Sequence, residues 1–173
     1  MDTLLAIGSL RVVRRFSDRS IDVDAVRTIV DAGRRAGSSK NLQRWDFVVV
    51  RDRARLAELA AVGPYAGHLA GATVAIALVT PDPRADAAPL SVVFDLGRAA
   101  ENMVLAAWDL GIGSCPATVY EQGLARRILG YPETHHCEYV FSFGHPADAA
   151  DLVRTNQAGG RKTLVEVVHV ETW

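Results

Sequence analysis

Disulfide frameworks, membrane spans and a strong net charge are all missing from this sequence of 173 residues. Its two cysteines, Cys115 and Cys137, lie far apart and form no C-x-x-C pair. This excludes a disulfide-stapled scaffold and a zinc knuckle and predicts two buried, reduced thiols. The net charge of -1 gives no electrostatic reason to expect nucleic acid as the main partner.

Long hydrophobic runs are also scarce. No apolar stretch reaches the roughly 20 residues of a membrane span, and the N-terminal run "LLAIGSL" has neither a preceding basic residue nor a small-residue cleavage site. A hydrophobic share of 49% is typical of a globular chain that can bury its own core. We therefore expect a single cytoplasmic domain over residues 1–173 that does not contact a membrane.

Common nucleotide, metal and nucleophile motifs are absent or incomplete. "GIGSCP" holds only G-x-G and follows a predicted helix, and "AGGRKT" lacks the adjacent Gly-Lys pair of a phosphate loop. "HHC", at residues 135–137, falls in a predicted strand whose successive side chains point to opposite faces, which argues against a metal site. No G-x-S-x-G nucleophile motif is present. The sequence gives no support to hydrolysis or metal catalysis.

Hydrophobic periodicity predicts an α+β layered fold. The spacing favours helices at the N-terminus with Thr3 as cap, after Asp22 up to Gly37, over "RARLAELAAVG", from Ser91 to Gly111, and over "TVYEQGLARRILG". Apolar runs predict strands at "WDFVVV", "ATVAIALVTP" and "CEYVFSFG". The end "TLVEVVHVETW" is interpreted as a last strand or a C-terminal arm. The helix from Ser91 is apolar on more than one face, so it is central or packs on another subunit.

Three polar segments remain as candidates for a binding site. The N-terminal arginine segment "LRVVRRF" (residues 10–16) and the C-terminal basic segment "GGRKTL" (residues 159–164) are cationic. Their Arg11, Arg14, Arg161 and Lys162 could converge on a phosphate, or could all be solvated surface charges. The serine–asparagine loop "AGSSKNLQRW" (residues 36–45) is rich in neutral donors and acceptors. It could match the edge of a flavin ring or be an ordinary helix-to-strand turn.

Taken together, these segments resemble the nitroreductase family of FMN-dependent oxidoreductases. The family motif R-R-S-x-R-x-F is similar to "LRVVRRF", and P-S-S-x-N-x-Q-P-W-x-F is similar to "GSSKNLQRWDF". "DLGRAAENMVLAAWDLGIGSC" resembles the family pattern of an acidic residue, a long Ala-rich helix and then G-L-G-S-C. "FSFGHP" resembles the family strand that ends in G-Y-P, and "RKTLVEVVH" resembles the family motif R-K-P-L-x-E-V-V-H. The resemblance follows the family's order over nearly the whole chain.

The resemblance implies a homodimer with a central, mostly antiparallel sheet flanked by helices and one FMN at each end of the interface. It implies NADH or NADPH as reductant and a nitroaromatic, a quinone or a similar electron-poor small molecule as acceptor, in a ping-pong order. No dedicated catalytic side chain and no metal are implied, although Arg14 has a possible electrostatic role. The cofactor-binding positions carried over are Arg11, Val12, Arg14, Gly37, Ser38, Ser39, Asn41, Pro116, Ala117, Thr118, Arg161 and Lys162.

Several residues depart from the family pattern. Leu10 replaces the first arginine and Val12 replaces the phosphate-binding serine, while Gly37 and Arg44 replace prolines, so labile FMN retention is expected. Gln43 is expected to brace the loop. The segment "PDPRADAAPL" leaves little room for a helical lid, which favours an open substrate face. Three alternatives stay open: another flavin task such as deazaflavin-dependent reduction, flavin fragmentation or dehalogenation, a non-enzymatic flavin-binding protein, and an α+β interaction module.

Overall fold

The computed structural model describes residues 2–85, 88–153 and 160–173. Its centre is a four-stranded, fully antiparallel sheet with the strand order β1-β2-β4-β3. The strands are β1 (Asp46–Val50), β2 (Val74–Pro81), β3 (Gly113–Thr118) and β4 (His135–Gly144). β2 and β4 therefore lie in the middle, and β1 and β3 form the two edges.

The alternation of side chains along β2 separates two apolar layers. Val74, Ile76 and Leu78 belong to a core cluster with the long helices on one face, whereas Ala75 and Ala77 belong to a cluster on the other face. β2 is buried on both faces, which is why its sequence reads as an unbroken apolar run. The result is a sheet covered by helices on both sides.

Six α-helices lie within the described residues. They are α1 (Thr3–Ser9), α2 (Val23–Arg34), α3 (Arg53–Leu59), α4 (Ser91–Asp109), α5 (Gln122–Leu129) and α6 (Leu164–Val167). α2 and α4 pack on one face of the sheet, and α3 and α5 pack on the other. None of the helices within the described ranges combines the length and apolarity that crossing a membrane requires.

Several helix ends differ from the predicted ones: α3 ends at Leu59, and α4 has Leu90 rather than Ser91 as its cap and ends at Asp109. The cap of α1 is Asp2 rather than Thr3, because the Asp2 carboxylate accepts hydrogen bonds from the backbone N–H groups of Leu4 and Leu5. α2 begins after Asp22 as predicted but ends at Arg34, before Gly37. At the end of α5, Gly130 takes a left-handed φ of 77°, a conformation that glycine adopts without a steric penalty.

The sequence-based prediction missed the fourth strand of the sheet. The end of the chain forms the short helix α6 within an exposed C-terminal arm (residues 160–173), not a strand, so of the two interpretations offered the arm is correct. The strand is instead β3, "GSCPAT", which glycine, serine and proline make a poor strand by propensity. Proline is tolerated there because β3 is an edge strand. The predicted loop of residues 81–90 includes residues 86 and 87, which lie outside the described ranges.

Candidate functional site

The N-terminal arginine segment runs beside β3. Val12 forms a parallel bridge to Ser114, and the backbone N–H of Val13 donates to the Ser114 carbonyl over 2.9 Å. The approach is close, since a Cβ at Gly113 would lie 2.6 Å from the Cβ of Val13. Glycine at this position therefore lets the segment reach the sheet edge, and Arg14 follows directly.

A cavity of about 470 Å³ opens beside Arg14. This volume lies in the range of small-molecule sites. Two of the predicted site residues, Arg14 and Pro116, are brought together on its wall. The full lining consists of Arg14, Pro64, Tyr65, Gly67, His68, Cys115 and Pro116. The cavity thus combines a guanidinium, a phenol, an imidazole and the edge of β3.

His68 is a wall residue of this cavity that the sequence did not reveal. Its Nδ1 lies 2.7 Å from the hydroxyl of the fully buried Ser142, while its Nε2 is buried without a hydrogen-bond partner among the described residues. Burial, and next the neighbouring charge of Arg14, lower the pKa of His68 below its ordinary value. A lone histidine in "GPYAGHLAG" carries no pattern by which it could have been found from the sequence.

The two cysteines are buried free thiols, as the sequence predicted. Cys115 lies in the wall of the Arg14 cavity, where burial raises its pKa and the Arg14 charge opposes that shift. Burial raises the pKa of Cys137 to about 12. Both groups are therefore protonated near neutral pH and poorly nucleophilic. No cluster of three metal-ligating side chains occurs in residues 2–85, 88–153 and 160–173.

The serine–asparagine loop lies on α4 instead of the Arg14 cavity. The backbone N–H of Ser39 donates to the Asp95 carboxylate over 2.9 Å, and a Cβ at Gly37 would overlap the guanidinium of Arg98. Inside the loop, the Gln43 N–H donates to the Ser38 hydroxyl over 3.0 Å, which agrees with a bracing role for Gln43. Gln43 also donates to Asn41 through its side-chain amide.

The remaining predicted residues lie in different environments. Arg11 donates to the backbone carbonyls of Gly8 and Leu10 at the end of α1. The side chain of Ala117 is buried in the core, so only its backbone is available to a ligand at the edge of β3, next to the half-buried Thr118. Arg161 and Lys162 are exposed on the C-terminal arm, and residue 159 of the basic segment lies outside the described ranges.

A second cavity, of about 430 Å³, also has Pro116 in its wall. Its walls are mainly apolar side chains from α4 and the two central strands. They are Leu78, Thr80, Pro83, Val93, Leu96, Gly97, Ala100, Pro116, Glu138, Tyr139 and Phe141. Pro116 thus lines both this apolar cavity and the Arg14 cavity.

Comparison with known proteins identifies one family. The model of the Nitroreductase family matches residues 9–64 and 62–145. A protein of Archaeoglobus fulgidus, provisionally named NADH dehydrogenase/NAD(P)H nitroreductase, is 33% identical over 177 residues, covering 99% of both chains. The NADPH-flavin oxidoreductase of Vibrio harveyi is 30% identical over 162 residues, covering 84% of this chain and 66% of that protein.

Solved structures show the same similarity. The crystal structure of a provisionally named nitroreductase from Desulfovibrio desulfuricans in complex with FMN is 30% identical to this chain, with a TM-score of 0.81. The similarity covers 100% of this chain and 99% of that one.

Proposed function

This chain belongs to the nitroreductase family, and from that premise we propose that it is an FMN-dependent NAD(P)H oxidoreductase acting on electron-poor acceptors such as nitroaromatics and quinones. The observation that carries the proposal is the junction of Arg14 and Pro116 on one cavity wall. They come from motifs far apart in the sequence, and each occupies the position at which the family motif predicts a flavin contact.

The donor set of the cavity fits a flavin. Arg14 offers a planar fork of N–H donors, which matches carbonyl acceptors on the edge of a heterocycle. Pro116 and the backbone of Ala117 and Thr118 offer a flat edge of β3 for a ring face, with the N–H of an edge strand at hand. We propose that these four residues hold the ring.

The residues predicted to bind the FMN phosphate differ in how free they are to contact it. Arg11 already donates to the end of α1, and Val12 is half-exposed at 50% but offers no hydroxyl. Arg161 and Lys162 are exposed on the C-terminal arm. We propose that these two cations supply most of the charge for the phosphate and that retention of FMN during purification is weak in consequence.

We further propose that the active unit is a homodimer in which the serine–asparagine loop of one protomer completes the site of the other. Within one protomer the loop is bonded to α4, and none of its residues lines the Arg14 cavity. Large exposed apolar side chains support a partner on α4 and on the arm: Leu90, Val93, Phe94, Leu164, Val165, Val170 and Trp173. Gly37, Ser38, Ser39 and Asn41 are then the polar contacts from the second subunit.

Bound FMN would supply the two-electron chemistry, and we propose that NADH or NADPH and the acceptor use the site in a ping-pong order. The protein binds the cofactor, fixes the orientation of its ring and polarises the ring with the charge of Arg14. The fixed charge of Arg14 stabilises negative charge at the edge of the heterocycle that it faces, which favours the reduced state. One or two charge-assisted hydrogen bonds contribute about 1.5 to 3 kcal/mol each, enough for a tenfold or greater preference for that state.

The proposal is tested on the purified protein before and after addition of excess FMN and desalting. We expect flavin absorbance, release of FMN on denaturation by mass measurement, and oxidation of NADH or NADPH with a nitroaromatic or a quinone. Free FMN at the same concentration is the control for non-enzymatic reduction. A protein that binds flavin without oxidising either nicotinamide would be a flavin-binding protein, and one that binds no FMN when titrated with excess cofactor at equilibrium would refute the flavin assignment. The same assay with a deazaflavin distinguishes the cofactor classes.

A further inference from the structure

Asp95 is a buried carboxylate near the N-terminal end of α4. It is 5% exposed and lies one turn into α4, on the side that faces α2. A buried charge persists only when hydrogen bonds or opposite charges compensate its lost hydration. The bond that Asp95 makes here is from the backbone N–H of Ser39, 56 residues earlier in the chain, over 2.9 Å.

Two further residues on the same side of α4 contact the same part of the chain. Asp95, Arg98 and Asn102 follow one another at intervals of three and four residues, so they share one helix face. The Asn102 amide donates to the Ala32 carbonyl near the end of α2 over 3.2 Å, and Arg98 packs against Gly37. α4 therefore contacts both the last turn of α2 and the loop that follows it.

The loop itself needs such support. Lys40, Asn41 and Gln43 all have positive φ angles, of 52°, 55° and 47°. Residues other than glycine are disfavoured in this left-handed region, and three of them within four positions persist only when surrounding contacts fix them. The internal bond from Gln43 to Ser38 closes the loop but attaches it to nothing else. Within the part of the chain that the structure describes, the Asp95 bond ties the loop backbone to α4.

We infer that Asp95 is the positioning residue of the serine–asparagine loop: its bond to the Ser39 amide holds Ser38, Ser39 and Asn41 in the arrangement in which they meet the cofactor. The cofactor part of this inference rests on the proposed function. Asp95 does not itself contact the cofactor. It acts through the loop, so its loss should loosen the loop first and weaken flavin binding as a consequence.

The first measurement follows the loop without any cofactor. Hydrogen exchange of the Ser39 to Gln43 amides is compared in the wild type, Asp95→Ala, Asp95→Asn and the control Glu101→Ala, which removes an exposed carboxylate from the same helix. Because a charge-assisted bond is lost, Asp95→Ala should accelerate exchange at Ser39 by roughly tenfold to a hundredfold. Asp95→Asn keeps an oxygen acceptor and should restore most of the protection, and Glu101→Ala should match the wild type.

The second measurement is the FMN dissociation constant of the same variants. We expect Asp95→Ala to weaken binding by about tenfold, Asp95→Asn to recover most of that loss, and Glu101→Ala to stay within twofold of the wild type. Recovery in Asp95→Asn separates a positioning bond from a direct effect of the Asp95 charge, because the charge is absent from both Asp95 variants.

A loop-side variant covers the case in which Asp95→Ala does not fold. Ser39→Pro removes the donor N–H without changing α4, and the extended backbone of Ser38, with φ of -134° and ψ of 154°, is compatible with a following proline. Exchange at Asn41 to Gln43 is then compared with Ser39→Ala, which lacks the hydroxyl but keeps the N–H. Faster exchange in Ser39→Pro alone supports the inference.

The outcomes separate the two claims. Unchanged exchange in Asp95→Ala or Ser39→Pro overturns the positioning role, whatever the flavin data show. Faster exchange with FMN affinity within twofold of the wild type overturns the link from the loop to the cofactor. A wild type that binds no FMN overturns the proposed function and that link together, while the exchange data still decide whether Asp95 holds the loop.

Discussion

Gly113→Ala tests how tightly the N-terminal arginine segment is held against β3. The added Cβ would lie 2.6 Å from the Val13 Cβ, 2.7 Å from its Cγ2 and 3.0 Å from its Cγ1. Carbon atoms in contact normally lie about 3.5 to 4.0 Å apart, so one of the two segments must move by roughly 1 Å. Val13 is 1% exposed and its N–H is bonded to Ser114, so it cannot retreat without stretching that bond.

The expected change in the free energy of unfolding is the balance of two destabilising effects and one stabilising effect. Overpacking of this kind destabilises by about 1 to 3 kcal/mol, and a buried hydrogen bond that is weakened adds up to about 1 kcal/mol. Replacing glycine by alanine recovers about 0.4 to 1 kcal/mol through the unfolded chain. We expect a net loss of roughly 1 to 3 kcal/mol in the free energy of unfolding. Because Arg14 follows Val13, FMN affinity should also fall, by about tenfold.

Urea unfolding at one fixed protomer concentration and without FMN measures the stability change. Gly123→Ala is the matched control, since a Cβ on this exposed glycine of α5 would meet no atom within 4 Å. It should leave the protein as stable or stabilise it by up to about 1 kcal/mol. If Gly113→Ala proved as stable as Gly123→Ala and bound FMN as tightly as the wild type, the close contact with Val13 would not hold Arg14 in place.

Four further predictions concern charge, protonation and a buried hydrogen bond. Arg14→Ala should weaken FMN binding by about tenfold and slow flavin reduction. Arg14→Lys should have an affinity and a rate between those of the wild type and Arg14→Ala. Unchanged flavin content and reduction rate in Arg14→Ala would exclude the electrostatic role. Burial raises the pKa of Cys137 to about 12 from an ordinary 9.0 and also raises the pKa of Cys115. A thiol reagent at pH 8 should therefore modify the cysteines of the folded chain at least about tenfold more slowly than those of the denatured chain. The unfolded state loses its thiol protons at lower pH than the folded state, so the free energy of unfolding should fall as pH rises from 9 towards 12, and should fall less in Cys137→Ala. Burial and Arg14 lower the pKa of His68 below 6.5, so the unfolded state binds that proton more readily and stability should fall as pH drops below 6.5. Ser142→Ala, which removes the hydroxyl 2.7 Å from His68 Nδ1, should cost about 1 to 3 kcal/mol in urea unfolding; a loss below 0.5 kcal/mol would show that the pair adds little.

Local pattern predicted the elements whose own residues specify them. β1, β2 and β4 are apolar, β-branched runs bounded by turn or charge signals, and α4 carries a helical period over its whole length. β3 could not be found in this way, because its glycine, serine and proline disfavour a strand. It forms because β4 offers a free edge and pairs with it residue by residue.

The sequence also identified the polar segments, but not the residues that lie next to them in space. The sequence alone determined that Arg14 stands in an arginine-rich segment and that the serine–asparagine loop follows a helix. Only the tertiary structure placed Arg14 beside Pro116, His68 beside Ser142 and the loop on Asp95. The physical reason is that a helical or strand period is set by neighbouring residues, whereas a hydrogen bond across 56 or 74 positions exists only after the sheet and its helices have packed.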